Sequence, residues 1–395
     1  MVTGEALRCA AELVNGHRWT AERARTILGA AMQSLSIPTV DLADLSSSDA
    51  AARARACAAI REGFGIYGLV YVKSHGVSDT TRLYDRFQAL CARSHAEKER
   101  YNRGDLWYQR GWTPPNTERA VVASGQPDFK ECWFAAPMAT DPEMAAQYPE
   151  LFPENVWPSG DDEYPELYLR TGRELHAAGL ALLRGCALAL GLSEDALTSA
   201  CEGGAHVFRM LRYLPLSSEQ TKQKILWGEE HTDFNLLTLL PGGRFHAPDG
   251  SVAKAPDDGS GLYLRTRPTA EHPEGQLVRG TAPAGCIVAQ VGQQLEILTG
   301  GTFLATPHVI TAPHTPGWSR LSAAHFVHLH ANQVVFPLPP FRNAETVKAY
   351  SPPVLAGTYS IKTLVDIGLA PPSALNKLGY RHYDRLATIR RAETL

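Results

Sequence analysis

The sequence predicts a mainly β protein with flanking helices, its core a barrel or jelly roll, and three observations point there. From "HVFRMLRYLP" onward the chain breaks into short β-type runs separated by Gly/Pro turns: "NLLTLL", "SGLYLRTR", "GCIVAQVG", "QLEILTGG", "TFLATPHVI" and "RLSAAHFVHLH". Ahead of them, "YPELYLRTGRELHAAGLALLRGCALALGL" carries its apolar residues at helical spacing and reads as one long helix against that core. The 395 residues are 44% apolar, enough to bury a sizeable core in one large domain or two modest ones.

The elements follow in order. Residues 1–36 are rich in Ala, Glu, Arg and Leu and form an N-terminal helical extension, which Pro38 in "SLSIPTVDLADL" ends. An α/β region spans 37–204. In it "DAAARARACAAIREGFGI" reads as helix, "GLVYVKSHGV" as strand and turn, and "SDTTRLYDRFQALCARSHAEKERY" as a helix capped by Ser78 or Asp79. Between 102 and 160 lies a loop-rich zone holding Trp107, Trp112, Trp133 and Trp157, whose default role is packing and whose minority role is lining a pocket. The β-rich core spans 205–345, with "GGRFHAPDGSVAKAPDDGSG" an exposed excursion between two of its strands. A C-terminal helical segment, 346–395, closes the chain with "PSALNKLGYRHYDRLATIRRAE".

Composition removes several function classes. The net charge of −3 and the lack of any long like-charge block give no electrostatic footprint for nucleic acid. The start lacks a basic segment followed by a long apolar one, and no stretch reaches 18 uninterrupted apolar residues, so the expectation is a cytoplasmic protein whose partners are small molecules. The seven cysteines are scattered and never in CxxC spacing, which argues for reduced thiols rather than disulfides or a thiolate zinc site.

The chemistry-bearing stretch is "EEHTDFNLLTLL". In a strand, positions i and i+2 face the same way, so His231 and Asp233 are expected on one side with Thr232 on the other. The dyad alone is equally compatible with two polar residues on an ordinary strand. A third ligand changes the reading, and His308 stands out in a β-type run after the Gly300–Gly301 turn. Two His and one Asp form a facial triad that leaves coordination positions open, as non-haem Fe(II) oxygenases require, and zinc binds the same groups. Arg320 and Ser322 are again i and i+2. If they face a barrel interior, the buried guanidinium needs an anion, and a fork of donors beside a hydroxyl suits the carboxylate of a 2-oxo acid.

These residues carry a resemblance. "HTDFNLLTLL", "GQQLEILTGGTFLATPHVI" and "RLSAAHF" resemble, in order and spacing, the core of the Fe(II)/2-oxoglutarate-dependent dioxygenases of the isopenicillin N synthase type. "IPTVDLADL", "GLVYVKSHGV", "AEKERY", Gly111-Trp112 and "DFKECWF" extend the likeness over roughly residues 36 to 345. "PDFKECW", "FRMLRYLP" and "TGGTFLATPHV" are also similar to segments of the bacterial ethylene-forming enzyme. The resemblance implies a double-stranded β-helix core, jelly-roll and cupin-like, with Fe(II), 2-oxoglutarate as co-substrate and O2. It implies that His231, Asp233 and His308 hold iron and that Arg320 and Ser322 bind the distal carboxylate of 2-oxoglutarate. Tyr213 and Arg209 join them as co-substrate contacts, and Glu131, Arg212 and Phe234 are substrate contacts. The implied reaction oxidises an unactivated C–H bond of a small molecule such as an amino acid or secondary metabolite, usually to an alcohol, with release of succinate and CO2.

Two positions depart from the family pattern: Val309 follows His308 where Arg is usual, and Gln293 stands where many members have Asp. Strand parity places His328 and His330 on the face of Arg320 and Ser322, where supporting or surface roles are expected of them and of His325. His75 reads as a turn histidine, and Glu229 and Glu230 as solvated charges at a strand entry. Three rival readings stay open at this level: an isopenicillin N synthase-type oxidase that uses no 2-oxoglutarate, a zinc hydrolase on the same three ligands, and a non-catalytic jelly-roll binding protein.

Overall fold

Alternation along the strands sorts the side chains into two layers, and that sorting builds the site. The computed structural model describes residues 37–118, 129–223, 225–256, 259–267 and 272–378; the 1–36 extension and most of the last predicted helix lie outside them. The strands are β1 (Thr39–Asp41), β2 (Leu69–Lys73), β3 (Gly111–Thr113), β4 (Lys130–Ala135), β5 (Val207–Tyr213), β6 (Gly228–His231) and β7 (Leu237–Leu240). They continue with β8 (Gly243–His246), β9 (Val252–Ala253), β10 (Gly261–Arg265), β11 (Leu277–Arg279), β12 (Ile287–Val291), β13 (His308–Thr311) and β14 (Ser319–Val327). The larger sheet runs β1-β2-β12-β7-β14-β5-β4-β3, with β8 also on β14 and β9 on β8. The smaller runs β11-β10-β13-β6. Only β1 and β2 pair in parallel among these, so the two sheets form an antiparallel jelly roll.

On β14, Leu321, Ala323 and Val327 enter the core beneath the helices, whereas Ala324 and Phe326 turn to the space between the sheets. Leu211 and Tyr213 of β5, Cys132 and Phe134 of β4, Trp227, Leu262 and Ile310 join them there. The outer face of the larger sheet is covered by α1 (Ala50–Glu62), α2 (Thr81–Cys91) and α3 (Glu163–Ala189). Helix α3 begins on Glu163 and Glu166, which favour its positive end, and repeats apolar residues every three or four positions. Leu175, Leu182 and Leu183 are fully buried by it, each worth about 1.5–3 kcal/mol relative to exposure. Gly179 lets α3 lie close to the sheet, because a Cβ there would sit 3.0 Å from Leu239 Cδ2 and 3.2 Å from Val327 Cγ2.

Three local expectations are corrected. "QQLEIL" is not a strand but the helix α4 (Gln293–Leu298): Leu295 and Leu298, three apart, share its buried face. Of "TFLATPHVI" only His308 onward is strand. β14 ends at Val327, so strand parity does not extend to His328 and His330. The six described cysteines are free thiols, five of them buried. No helix among the described residues is long and apolar enough to cross a membrane. A further helix, α5 (Ala356–Asp366), packs near the C-terminus against Tyr148, Leu151 and Phe152.

Candidate metal centre and co-substrate site

His231 ends β6 and His308 begins β13, and the two are direct partners across that strand pair, with ring centroids 4.3 Å apart. Asp233 is not on the strand, as the i, i+2 argument expected, but in the loop that follows it. Backbone bonds aim that loop. Gln293 N–H donates to the Asp233 carbonyl at 2.8 Å, Gly292 N–H to Leu236 at 3.1 Å, and Leu236 N–H to Val327 at 2.8 Å. Gly292 is required by this approach, since a Cβ there would lie 2.0 Å from the Asn235 carbonyl oxygen.

Asp233 Oδ1 then lies 3.8 Å from His231 Nε2 and 4.0 Å from His308 Nε2. One ligand atom from each of the three falls within 4.8 Å of the others, the only such cluster of His, Cys, Asp and Glu among the described residues. The far side of each ligand is held. His231 Nδ1 donates to the Glu229 carbonyl at 2.7 Å, His308 Nδ1 lies 3.4 Å from the Thr306 carbonyl, and the Thr238 hydroxyl donates to Asp233 Oδ2 at 2.7 Å. Contacts at both Nδ1 atoms, for His308 also the Gln290 side-chain amide at 3.3 Å, turn both Nε2 atoms toward the carboxylate, the orientation a metal ligand needs. Burial pushes the His308 pKa down to about 4, with help from His231 and opposition from Asp233, so the ring is neutral near pH 7. Burial opposes ionisation of Asp233, but His308, His231, the Thr238 hydroxyl and Arg209 outweigh it and hold its pKa below the ordinary carboxylate value. Two imidazoles and one carboxylate, converging with room for a cation, fit a divalent iron.

Arg320 of β14 faces Tyr213 of β5 in register, one pair along from Ser322 and Leu211. Its guanidinium lies over the Tyr213 and Phe245 rings at 5.7 and 5.8 Å, and no carboxylate pairs with it among the described residues. Trp227 stacks on Tyr213 at 5.5 Å and donates its indole N–H to the Leu214 carbonyl at 2.8 Å, which fixes the ring beneath the cation. Ser322 is buried beside it. The excursion after β7 supplies β8, so Phe245 is partner to Arg320 rather than part of a detached flap.

Arg209 shares the interior face. Its Nη1 donates to both oxygens of Glu118, at 3.0 and 3.2 Å, and Lys130 Nζ pairs with the same carboxylate at 2.8 Å. Glu118 is a residue the sequence did not single out: a lone Glu in "GWTPPNTERA" carries no pattern. Burial opposes its charge, yet Lys130 and Arg209 hold its pKa at about 2. Glu131 and Arg212 sit on the opposite, helix-side face, where Glu131 accepts from Lys98 at 2.6 Å, Trp112 Nε1 at 2.9 Å and Arg212 at 3.1 Å. Phe234 packs against His328 at 5.2 Å between ring centroids. His325 turns to the helices, with His176 Nδ1 3.1 Å from its Nε2. Glu230 is paired with Arg265 at 3.6 Å rather than solvated. Gln293 bridges Thr232 at 2.6 Å to the Tyr359 hydroxyl of α5, tying the ligand loop to the C-terminal region.

Comparison with known proteins finds relatives along most of the chain. Residues 37–160 match the family model described as non-haem dioxygenase in morphine synthesis, N-terminal. The chain is 25% identical over 303 residues to kihadalactone A synthase of Citrus sinensis, covering 74% of this chain and 82% of that one. It is 26% identical over 282 residues to a homoarginine-6-hydroxylase of Oryza sativa subsp. japonica, covering 69% and 76%. These relatives and structural neighbours are Fe(II)/2-oxoglutarate-dependent oxygenases, and the chain is similar to them in both sequence and fold. A full-length protein of Neurospora crassa, solved in complex with alpha-KG, has the same fold at a TM-score of 0.68 and 21% identity, over 85% of this chain and 98% of that one. A putative 2OG-Fe(II) oxygenase family protein of Caulobacter crescentus gives 0.67 and 24%, over 84% and 99%. The oxygenase is therefore a non-haem dioxygenase of small molecules that works with Fe(II), 2-oxoglutarate and O2.

Proposed function

We propose that this oxygenase hydroxylates an unactivated C–H bond of a small molecule such as an amino acid or secondary metabolite, with His231, Asp233 and His308 holding the iron. Arg320, Ser322 and Tyr213 hold the distal carboxylate of 2-oxoglutarate. The observation that carries the reading is the pairing of a converged His-Asp-His cluster with an interior guanidinium that no protein carboxylate answers among the described residues. When bound, iron and 2-oxoglutarate supply an O2-dependent oxidation that consumes the co-substrate to succinate and CO2.

The chain's own residues orient and exclude water. The Glu229 and Thr306 carbonyls and the Thr238 hydroxyl fix the ligand side chains before any metal arrives, which lowers the ordering cost of binding. The Tyr213, Phe245 and Trp227 rings surround Arg320 with low-dielectric walls, so an ion pair formed there is stronger than in water. No acid or base is asked of the protein by this reaction, in keeping with Glu131 and Glu230 both being committed to ion pairs.

The test is anaerobic addition of Fe(II) and 2-oxoglutarate, read by the visible charge-transfer band of a metal-chelated 2-oxo acid, with Arg320→Ala as control. A band in the wild type that needs higher 2-oxoglutarate in the variant supports the assignment. Iron binding without a band would instead favour the oxidase that uses no 2-oxoglutarate, and no iron binding would remove the ligand set.

A further inference from the structure

Thr232 stands between the candidate ligands His231 and Asp233, and its side chain is held from outside the ligand set. Gln293, the first residue of α4, donates from Nε2 to the Thr232 hydroxyl at 2.6 Å, and its Oε1 accepts from the Tyr359 hydroxyl of α5. Gln293 stands where many members of the family have Asp. The exchange matters because an amide both donates and accepts, whereas a carboxylate only accepts. Gln therefore joins a hydroxyl used as acceptor to one used as donor. Burial, with the charge of Glu296, pushes the Tyr359 pKa up to about 12, so the phenol keeps the proton it donates.

Three further features make this bridge part of the site's frame. Backbone N–H groups of the same stretch hold the ligand loop: Gly292 to Leu236 at 3.1 Å, Gln293 to Asp233 at 2.8 Å and Gln294 to Asn235 at 3.1 Å. One turn further along α4, Glu296 accepts from the Tyr350 hydroxyl at 3.2 Å, so a second tyrosine of the C-terminal region also ends on this helix. Helix α5 is itself firmly seated. Its Ile361 and Leu364 are buried with Tyr148, Leu151 and Phe152, and its first N–H groups, of Ala356 and Gly357, donate to the Gln333 and Ala331 carbonyls, each at 2.8 Å. A Cβ at Gly357 would meet Tyr148 Cζ at 2.8 Å, so the first turn of α5 packs directly on that ring. Tyr359 thus reaches Gln293 from a fixed base.

We propose that Gln293 and Tyr359 form a strut through which α5 positions the ligand loop, so that iron affinity depends on a hydrogen bond made by the C-terminal region, outside the ligand set. This rests on the reading of His231, Asp233 and His308 as iron ligands. Thr232 shares its two peptide bonds with His231 and Asp233, and each of those bonds is planar, so fixing the Thr232 side chain restrains the backbone of both ligands. Without the strut the loop keeps its backbone bonds to residues 292–294 but loses the side-chain restraint. The cost of ordering the ligands then falls on metal binding. Both residues act through Thr232 and are positioning residues.

The test is the Fe(II) affinity of the whole chain, read anaerobically by chelator competition, with amide hydrogen exchange of residues 232–240 in the metal-free chain as a second readout. Gln293→Met, close to Gln in length but without either hydrogen bond, is expected to weaken Fe(II) binding on the order of 10-fold, the scale of an outer partner of a metal ligand, and to speed exchange in that segment. Tyr359→Phe keeps the ring, loses the hydroxyl and is expected to weaken binding about threefold. The double variant is expected to match Gln293→Met alone, since both changes break one strut. Ile361→Val loosens the packing of α5 without touching the strut, and is expected to lower the thermal midpoint with Fe(II) affinity unchanged. At saturating Fe(II), the 2-oxoglutarate needed to half-develop the charge-transfer band is expected to move less than about threefold in Gln293→Met, because Arg320 is untouched. The proposal is overturned if Gln293→Met or Tyr359→Phe binds Fe(II) as tightly as wild type, if Ile361→Val weakens binding as much as Tyr359→Phe, or if 2-oxoglutarate affinity falls as far as Fe(II) affinity. A wild type that binds no Fe(II) removes the ligand assignment and the strut together, whereas equal binding by wild type and Gln293→Met removes the strut alone.

Discussion

Strands β4 and β5 carry two ionic clusters of the same composition on opposite faces. On the helix side Glu131 accepts from Lys98, Arg212 and Trp112, and Lys98 also donates to the Cys91 carbonyl at 3.1 Å. On the barrel side Glu118 holds Lys130 and Arg209. The difference is completion. The Glu131 cluster engages three donors and stitches the sheet to the segment around Lys98, while the Glu118 cluster leaves the buried Arg209 Nε without a partner among the described residues.

The largest expected effect lies on the barrel side. Asp233→Ala should abolish Fe(II) binding and turnover while leaving the thermal midpoint of the metal-free chain near that of wild type; wild-type-like succinate release would break the comparison. On the helix side, Glu131→Ala leaves the buried Lys98 and the half-buried Arg212 without their carboxylate and should cost on the order of 3 kcal/mol in urea unfolding, with 2-oxoglutarate affinity of the folded fraction unchanged. A shift in that affinity would move Glu131 into the site. Arg320→Ala should raise the apparent KM for 2-oxoglutarate on the order of 100-fold with a smaller change in kcat, measured by steady-state succinate formation.

Smaller effects sharpen the picture. Thr238→Val removes the donor to Asp233 Oδ2 and should weaken iron binding on the order of 10-fold, read by chelator competition. The pH dependence of stability comes from buried histidines. Burial lowers the His176 pKa to about 4, so between pH 6.5 and 4 the unfolded chain binds a proton that the folded chain does not. The neutral form's contribution is fully present above pH 6.5 and is lost as pH falls toward 4. The unfolding free energy of the metal-free protein, read from urea titrations, should drop across that window by on the order of 1–3 kcal/mol, and His176→Leu should flatten the slope.

Much of the architecture was legible because periodicity reports burial. The two-residue spacing in "RLSAAHFV" put Arg320 and Ser322 on one face, and β14 has them so; Tyr213 and Arg209 came only from the family resemblance, and the structure pairs their strand β5 with β14 in register. Where the pattern stops, so does the inference: β14 ends at Val327, and His328 and His330 leave the face that parity assigned them. "QLEIL" was ambiguous because a short apolar run fits a strand or a helix, and Gly292 packed on the Asn235 carbonyl decided for helix.

The sequence by itself determined the candidate ligand types, their order, and the pairing of Arg320 with Ser322, since these depend on residue identity and two-residue spacing. Tertiary structure decided the rest. Asp233 meets the two imidazoles because backbone N–H groups of Gly292 and Gln293, far along the chain, hold its loop, not because it shares a strand with His231. Glu118 meets Arg209 across 91 positions of chain. Contacts of that range depend on how sheets stack and loops close, and local sequence carries no period that records them.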